Sequence, residues 1–366
     1  MSKNKIASVM VGMSGGLDSS VVAALLVQQG YQVIGVTMKT WAGKAMPVKT
    51  KHGCYGPGEE EDIEDARKVA GKLGIDFHVI DLAAEYKAEV LDYFCREYKY
   101  GRTPNPCLIC NSRIKFGRLL QAAVESGIKF DLFATGHYAR CENDVNSRRY
   151  LLKKARDERK DQSYFLAYLK QEQLAGIIFP LGDYSKDEVR VIASDLGLSV
   201  QDKPESQDFI DFDYHTLLEA MPPGAITDFR GTRLGTHHGM GMYTIGQRKG
   251  LGLHGGPHYV TNIDAEINTI IVGKREELLR SELVASQLNW IAIDRPTAPM
   301  KLMAKIRHQH EGAEAEISPI TQDSVKVSFS TPQSAIAPGQ AIVFYDGVSV
   351  VGGGIINKYE GSGTHD

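Results

Sequence analysis

Two short runs and one histidine are the residues of this chain best equipped for chemistry: Ser14-Gly15-Gly16-Leu17-Asp18-Ser19, Cys107-Leu-Ile-Cys110, and His137. The first run follows an apolar stretch, Ile6 to Val11, that reads as a buried strand. It opens another, Ser19 to Gln29, that reads as a helix closed by Gly30. The first N–H groups of a helix have no internal partner and the helix dipole favours negative charge, so strand, glycine turn and helix start make an anion site. Gly15 and Gly16 are expected to take positive φ and bring the backbone close to a phosphate. Ser14 and Ser19 add hydroxyl donors, and Asp18 beside a phosphate calls for Mg²⁺ between them. No Gly-Lys-Ser/Thr follows, which excludes the kinase-type phosphate loop.

The cysteine pair sits in Gly101-Arg-Thr-Pro-Asn-Pro-Cys-Leu-Ile-Cys-Asn111, where two prolines and two asparagines impose an ordered loop. The next helix is expected over Asn111 to Ser126, so Cys107 and Cys110 lie where it begins. A helix N-terminus lowers a thiol pKa and favours the thiolate, which is both nucleophile and metal ligand. Cys95 and Cys141 each stand alone in a regular element and read as packing residues. His137 follows an expected strand, Asp131 to Thr135. Alone it could be a satisfied core histidine, but the carboxyl end of a strand favours a functional one.

The elements that position these residues alternate strand and helix up to about residue 205, which predicts an α/β domain with a parallel sheet. Tyr31 to Met38 and Phe77 to Leu82 read as further strands, Glu59 to Leu73 and Ala84 to Tyr98 as helices. Lys39 to Gly58 is a long loop rich in Gly, Lys and Pro. In such a sheet the ligand lies at the carboxyl ends of the strands, so the glycine turn, Met38 and Gly136-His137 converge there. Ser185 opens the last helix with a capping box to Glu188. From Phe212 onward short segments rich in Gly, Thr and Tyr predict a small β-domain. Beyond it, alternating runs from Met300 to Ile356 predict a closed antiparallel barrel. The expected domains are 1–212, 213–280 and 281–358, with a disordered tail at 359–366. His237-His238 is no metal pair, since neighbours on a strand face opposite sides.

At 366 residues, with 42% hydrophobic and 24% charged residues, the chain reads as a soluble protein of two or three domains. No apolar run reaches the roughly 18 residues of a membrane span, and no signal-peptide core precedes the first strand. Five cysteines, an odd number, favour cytoplasmic thiol chemistry over a disulfide framework. A net charge of −3 says nothing for or against nucleic acid; RNA contact would come from local patches such as Lys153, Lys154, Arg156, Arg159 and Lys160. Asp157, Glu158 and Asp161 offset much of that cluster, so a solvated charged turn is the alternative.

The Ser-Gly-Gly-x-Asp-Ser run resembles the signature of the PP-loop ATP pyrophosphatases, which cleave ATP between its α- and β-phosphates. Four further motifs follow in order: Gly101-Arg-Thr-Pro-Asn-Pro with Cys110-Asn, Ala134-Thr-Gly-His-Tyr138, Lys160-Asp-Gln-Ser-Tyr-Phe-Leu166, and Tyr243-Thr-Ile-Gly-Gln-Arg-Lys-Gly-Leu-Gly252. Together they resemble the bacterial tRNA-specific 2-thiouridylases over nearly the whole chain. The resemblance implies ATP binding by Gly12, Met13, Ser14, Gly15, Gly16, Leu17, Asp18, Ser19, Met38 and Gly136. It implies contact of Asn105, Pro106 and Cys107 with the target base, and Cys110 as the sulfur-carrying nucleophile. His137, Lys160, Asp161, Gln162, Arg307, His308 and Gln340 would contact the tRNA, whose anticodon stem the barrel would receive. ATP and Mg²⁺ would be needed, and sulfur would come from a donor protein of a persulfide relay.

Two departures alter the expected sulfur chemistry. The family usually has Asp where Cys107 stands, and a second catalytic cysteine after a Glu/Asp-Ser segment. Here that segment, Glu205-Ser-Gln-Asp-Phe-Ile-Asp-Phe212, holds no cysteine. Either Cys107 becomes the resolving partner of Cys110, or Cys54, Cys107 and Cys110 ligate an iron–sulfur cluster with one open iron. Two other readings compete: a PP-loop ligase or amidotransferase adenylating a small molecule, and an RNA-binding protein regulated by nucleotide.

Overall fold

The central strand of the N-terminal sheet, Ser8–Gly12, carries Val9, Met10 and Val11 with no exposed surface. Strands buried on both faces read as continuous apolar runs, and such strands belong to parallel sheets covered on both sides. The computed structural model describes residues 6–43, 53–198, 200, 208–210, 212–218 and 221–357. The Glu205-Ser206 motif, part of the long loop (44–52) and the expected tail lie outside the described residues.

By its contacts the chain divides into two units. The first comprises Met1–Val90, Cys107–Asp213 and Val348–Val350. Its sheet is parallel, in the order Asp76–Asp81, Gln32–Lys39, Ser8–Gly12, Leu132–Thr135, Ile177–Ile178. The chain leaves Ser8–Gly12 first to one side and later returns to the other. Gly12 is therefore in register with Val36 and with Thr135. This is a topological switch point, where open α/β sheets leave a crevice at the strand ends.

The helix Leu17–Gln28 follows at that crevice. Val21, Val22, Ala23, Ala24 and Leu26 are all buried, and Val189 and Ala193 of the helix Lys186–Asp195 belong to the same core. Gly30, at φ +84°, closes the first helix with its N–H bonded to Val27 O. The expected capping box is present: Ser185 Oγ accepts from Glu188 N at 3.3 Å, and Ser185 N donates to Glu188 Oε2 at 2.7 Å. The amphipathic helix spans Glu59–Leu73 as its periodicity predicts. A hairpin missed by the sequence reading, Ala139–Asp144 with Arg149–Lys154, follows the fourth strand.

The second unit comprises Leu91–Pro106, Tyr214–Gly347 and Val351–Asp366. Its four-stranded sheet, in the order Arg233–His237, Gly224–Thr227, Thr269–Gly273, Tyr259–Asp264, encloses Ile226, Tyr243, Val260, Ile263 and Ile270. His237 is buried there. Its Nε2 bonds Asn268 O at 3.1 Å and its Nδ1 accepts from Gly239 N at 3.1 Å, so it is a packed core histidine. The excursion from Leu91 joins this unit: Tyr98 stacks on Tyr214 at 5.7 Å, Cys95 Sγ meets Leu217 O, and Thr103 N donates to Pro338 O at 2.7 Å.

Six antiparallel strands then close into a barrel: Leu279–Trp290, Ser324–Ser334, Ala313–Pro319, Met300–Lys305, Ala341–Asp346 and Ser349–Ile356. Closure removes the free edges that an open sheet would expose. The closing strand, Leu279–Trp290, is absent from the sequence reading. Its alternation breaks between Ser286 and Asn289, where the register shifts and Gln287 takes φ +53°. That bulge bends one strand so that its first half pairs with Ser324–Ser334 and its second half with Ser349–Ile356.

The glycine turn differs from expectation in one respect. Gly15 takes φ +69°, but Gly16 is extended, at φ −96° and ψ 169°, and serves as the N-cap. A Cβ on Gly15 would lie 2.1 Å from the carbonyl oxygen of Asp62, whereas one on Gly16 would meet only Ser14 Oγ at 3.4 Å. Gly15→Ala is therefore expected to lower stability by about 2 kcal/mol or more, from left-handed strain and a backbone clash. Gly16→Ala should cost under about 1 kcal/mol, from the weaker N-cap alone. Denaturant midpoints of the two variants check the contrast.

Candidate active site

Hydroxyls knit the turn before the helix begins. Ser19 Oγ accepts from Ser14 N at 3.1 Å and lies 3.3 Å from Ser14 Oγ, while Ser20 Oγ donates to Gly16 O at 2.8 Å. No side chain caps the helix, so its leading N–H groups face the turn as an anion site requires. Gly136 completes the wall, since a Cβ there would lie 2.8 Å from Ser19 N. Met13 anchors the turn to the neighbouring strand through Met13 N to Val36 O at 2.8 Å, and Met38 lies half-buried near the end of that strand. Glu59 ties down the chain just beyond it: its carboxylate accepts from Thr40 N at 2.7 Å, Thr40 Oγ1 at 2.6 Å and Trp41 N at 2.9 Å.

Asp18 is not left open. Its Oδ1 accepts from Lys186 Nζ at 2.7 Å and from Tyr138 Oη at 2.8 Å, and the lysine nitrogen lies 5.7 Å from the Tyr138 ring centre. Lys186 is only 3% exposed. The sequence reading missed this lysine although a signal existed. Lys186 is the first residue of a helix whose start the Ser185 cap defines, and the dipole disfavours a cation there. A broken local rule of that kind marks a site.

The cysteine segment departs from expectation. The helical run begins at Pro106, with proline in the first position, and continues through a widened stretch, Cys110–Arg118. Such widened turns recur at functional sites. Cys110 is thus inside the helix rather than at its N-terminus. Burial pushes its thiol up to about 11, Lys115 opposes that shift, and the charge of Cys54 adds to it. The expected lowering of the Cys110 pKa is overturned, because desolvation outweighs the dipole where the thiol is enclosed. Cys54, exposed on the short strand Gly53–Tyr55, joins Cys107 and Cys110 in acting on the buried hydroxyl of Tyr86, whose pKa they and burial raise well above 10. Among the described residues no group of three or more His, Cys, Asp or Glu has the geometry to hold a metal ion.

His137 is half-buried between Phe116 and Phe179, at ring distances of 5.7 and 6.2 Å, and its Nδ1 lies 2.7 Å from Thr135 Oγ1. Burial first and Lys115 second hold its pKa well below 6.5, so the ring is neutral at pH 7. Gln162 brackets the next residue, its side chain accepting from Tyr138 N at 2.9 Å and its N–H donating to Tyr138 O at 2.8 Å. Asp161 is buried and turns inward, accepting from Ala155 N, Ser163 N and Ser163 Oγ. Three cations of the basic cluster are ion-paired: Lys153 with Glu142, Arg156 with Glu188, Arg159 with Asp157. Of the three acids expected to offset this cluster only Asp157 does so in these pairs; Glu142 and Glu188, from other elements, supply the rest, and Asp161 turns to backbone and hydroxyl donors instead.

The remaining expected residues fall in the second unit. Asn105 and Pro106 are buried, and Gln340 Nε2 donates to Pro104 O at 3.5 Å. Gly339 backs this segment, at φ +90° with no room for a Cβ beside Thr103 N. Arg307 is exposed, with Nη1 3.3 Å from Ser334 O, and His308 beside it is half-buried.

A parallel sheet whose central strand runs through Ser-Gly-Gly-x-Asp-Ser into an uncapped helix defines the PP-loop class of ATP-using domains. Family models match in three consecutive stretches: a tRNA methyl transferase HUP domain over residues 7–211, a tRNA methyl transferase PRC-barrel domain over 211–274, and an aminomethyltransferase beta-barrel domain over 280–356. The chain is 47% identical over 365 residues to the tRNA-specific 2-thiouridylase MnmA of Acetivibrio thermocellus, covering 97% of this chain and 100% of the relative. It is 48% identical to that of Endomicrobium trichonymphae (95% and 98% covered) and 46% to that of Clostridioides difficile (96% and 98%). The chain belongs to the tRNA-specific 2-thiouridylase family.

Two measurements test the geometry. Lys186→Met leaves a half-buried carboxylate without its cation and should cost about 3 kcal/mol, whereas Tyr138→Phe removes one hydrogen bond and should cost about 1.5 kcal/mol, read as denaturant midpoints. Alkylation of Cys110 should speed up from pH 7 toward its pKa of about 11. Lys115 stabilises the thiolate, so Lys115→Met should slow alkylation at every pH below that value; an unchanged rate would remove Lys115 from the site.

Proposed function

We propose that this chain catalyses ATP-dependent 2-thiolation of the wobble uridine of tRNA. The observation that carries the reading is that one compact unit holds both the glycine turn opening an uncapped helix and the Cys107–Cys110 pair on a widened helical run. Gly12 to Ser19, with Met38 and Gly136, bind ATP: N–H groups and the Ser14 and Ser19 hydroxyls take the phosphates, while Gly15, without a Cβ, lets the turn pack under the Asp62 carbonyl. Mg²⁺, when bound, would neutralise phosphate charge; the Asp18 carboxylate could reach it only with the oxygen that Lys186 and Tyr138 do not hold.

The target uridine is turned out of the anticodon loop, since its reacting atoms are inaccessible within a stack. Its O2 attacks the α-phosphorus and pyrophosphate leaves, which converts an inert carbonyl oxygen into a leaving group. The preorganised N–H groups of the turn stabilise the developing phosphate charge. Sulfur delivered to Cys110 by a donor protein of a persulfide relay then attacks C2, and AMP departs. Asn105, Pro106 and Cys107 lie against the base, with His137 as a neutral hydrogen-bonding partner. Lys160 meets the tRNA backbone on a turn held by Asp161 and Gln162, while Arg307, His308 and Gln340 grip the anticodon stem. The working domains are 1–212 for catalysis, 213–280 for docking and 281–358 for the stem. No described helix is long and apolar enough to cross a membrane, and a tRNA substrate with unbridged thiols suits the cytoplasm.

A second route for the sulfur, an iron–sulfur cluster on Cys54, Cys107 and Cys110, gains no support from their placement, since among the described residues no group of three such side chains has the geometry to hold a metal ion. Three thiolates are the donor set of an iron–sulfur cluster with one open iron, which when bound would hold the transferred sulfide. Iron and sulfide analysis of anaerobically purified protein decides: the absence of both removes the cluster.

The function itself is tested by mass spectrometry of tRNA after incubation with ATP, Mg²⁺ and inorganic polysulfide, whose sulfane sulfur can load Cys110 as a persulfide, and 2-thiouridine is expected. Cys110→Ser should abolish it while tRNA binding survives. Pyrophosphate release that needs a small molecule and no tRNA would point instead to a ligase or amidotransferase. Tight tRNA binding with no thiolation under any condition would leave a nucleotide-regulated binding protein.

A further inference from the structure

We infer that the loop 246–258 is a grip for the sugar–phosphate backbone of the tRNA, with Arg248 and Lys249 as its cations and the glycine-rich chain after them as its backbone donors. The proposal rests on the thiouridylase reading and assigns a binding site in the second unit. Charge is the first observation. From Phe229 to Ile263 the chain holds no aspartate or glutamate, although an overall share of 45 acids in 366 residues would put about four there. The same stretch carries Arg230, Arg233, Arg248 and Lys249. Arg230 lies over the Phe229 ring at 5.2 Å, and Arg233 donates to Gly235 O and Thr236 Oγ1. Arg248 and Lys249 are exposed and make no ion pair among the described residues. The cluster near Lys153 is the opposite case, since three of its cations are already paired with acids. A chain of net charge −3 must concentrate cations locally to hold a polyanion, and unpaired ones give up no partner on binding.

The loop is built to hold its shape. At its root Gly246 N donates to Val260 O at 2.8 Å and Val260 N to Gln247 O at 2.9 Å. Gln247 Oε1 accepts from Thr244 N at 3.0 Å and Gln247 Nε2 donates to Lys249 O at 3.0 Å, so the turn that presents both cations is tied from within. Leu251 enters the apolar core with Val260 and Ile270, and Leu253 packs against the same core. A Cβ on Gly235 would lie 2.7 Å from Leu253 Cδ2, which shows how closely that side chain is seated. Gly250 and Gly252, at φ +79° and +64°, turn the chain on either side of Leu251. The backbone N–H groups from Arg248 to Gly256 have no hydrogen-bond partner among the described residues. Much of this backbone lines a cleft of about 490 Å³ with Arg248 and His258, whose Nε2 lies 3.3 Å from His254 O. A Cβ at Gly252, Gly255 or Gly256 would meet nothing within 4 Å, so the bare backbone faces open space. Unpartnered N–H groups in glycine turns, beside two unpaired cations, are donors for phosphate oxygens. Such contacts position an RNA stem without reading its sequence.

In the full chain, the double variant Arg248→Gln with Lys249→Gln should weaken binding of unmodified tRNA about tenfold or more at low salt, and the slope of log affinity against log salt should fall by about two. The KM for tRNA should rise by the same factor. His254→Glu adds an acid to the loop and removes neither cation; it should weaken binding too, and it carries the test if the double variant fails to fold. Ethylation of single tRNA phosphates locates the contact: those that weaken the unaltered chain should have no further effect on the double variant. An affinity and salt slope equal to those of the unaltered chain overturn the proposal, as does weaker binding in which the same phosphates still matter. Normal tRNA binding with thiolation slowed only when a donor protein supplies the sulfur would assign the loop to an acidic protein, and overturns it as well. Should the unaltered chain bind tRNA through these cations yet form no 2-thiouridine from any sulfur source, the thiouridylase reading falls and the grip stands.

Discussion

The crowding of backbone against backbone where the first strand gives way to the first helix is the constraint on which the catalytic unit depends. Gly15 lies under the Asp62 carbonyl and Gly136 lies against Ser19 N, with no space for a Cβ at either place. Three elements, the helix Leu17–Gln28, the first turn of Glu59–Leu73 and the end of Leu132–Thr135, thereby meet at one point. None can shift alone. An anion site made of backbone N–H groups works only if those groups are already aimed, because reorienting them during the reaction would cost the energy they are meant to supply.

Charge at this point is arranged with the same economy. Asp18 would repel a phosphate, but Lys186 and Tyr138 hold it and moderate its charge before any ligand arrives. A buried ion pair of this kind adds little stability by itself, since desolvation of both ions offsets their attraction. Its value is placement: it links the turn to the helix Lys186–Asp195 and to the strand end that carries His137. The neutral state of His137 follows from the same enclosure, with aromatic rings on two sides and Lys115 nearby. A neutral imidazole can exchange hydrogen bonds with an uncharged base edge, which an imidazolium would do only as a donor.

Sulfur chemistry imposes the opposite demand on Cys110. A thiol held up near 11 is safe from adventitious oxidation but slow to attack. Enclosure thus slows oxidation and attack by this thiol alike. Lys115 pulls against that effect, being the cation that favours the thiolate.

The residue order alone determined the parallel α/β unit, the glycine turn before the helix, the Ser185 capping box, five strands of the barrel and the family resemblance. Each is a local pattern: apolar periodicity, a fixed spacing or a capping residue, written within about twenty neighbours. Only the tertiary structure decided that Gly15 and not Gly16 needs a positive φ, that Asp18 is paired with a lysine 168 positions away, and that burial outweighs the helix dipole at Cys110. It also decided how Leu279–Trp290 bends to close the barrel. The physical reason is common to all of these. Desolvation, ion pairing and steric approach are set by what stands a few ångströms away in space, and that neighbour is supplied by a distant stretch of chain whose return no local pattern encodes.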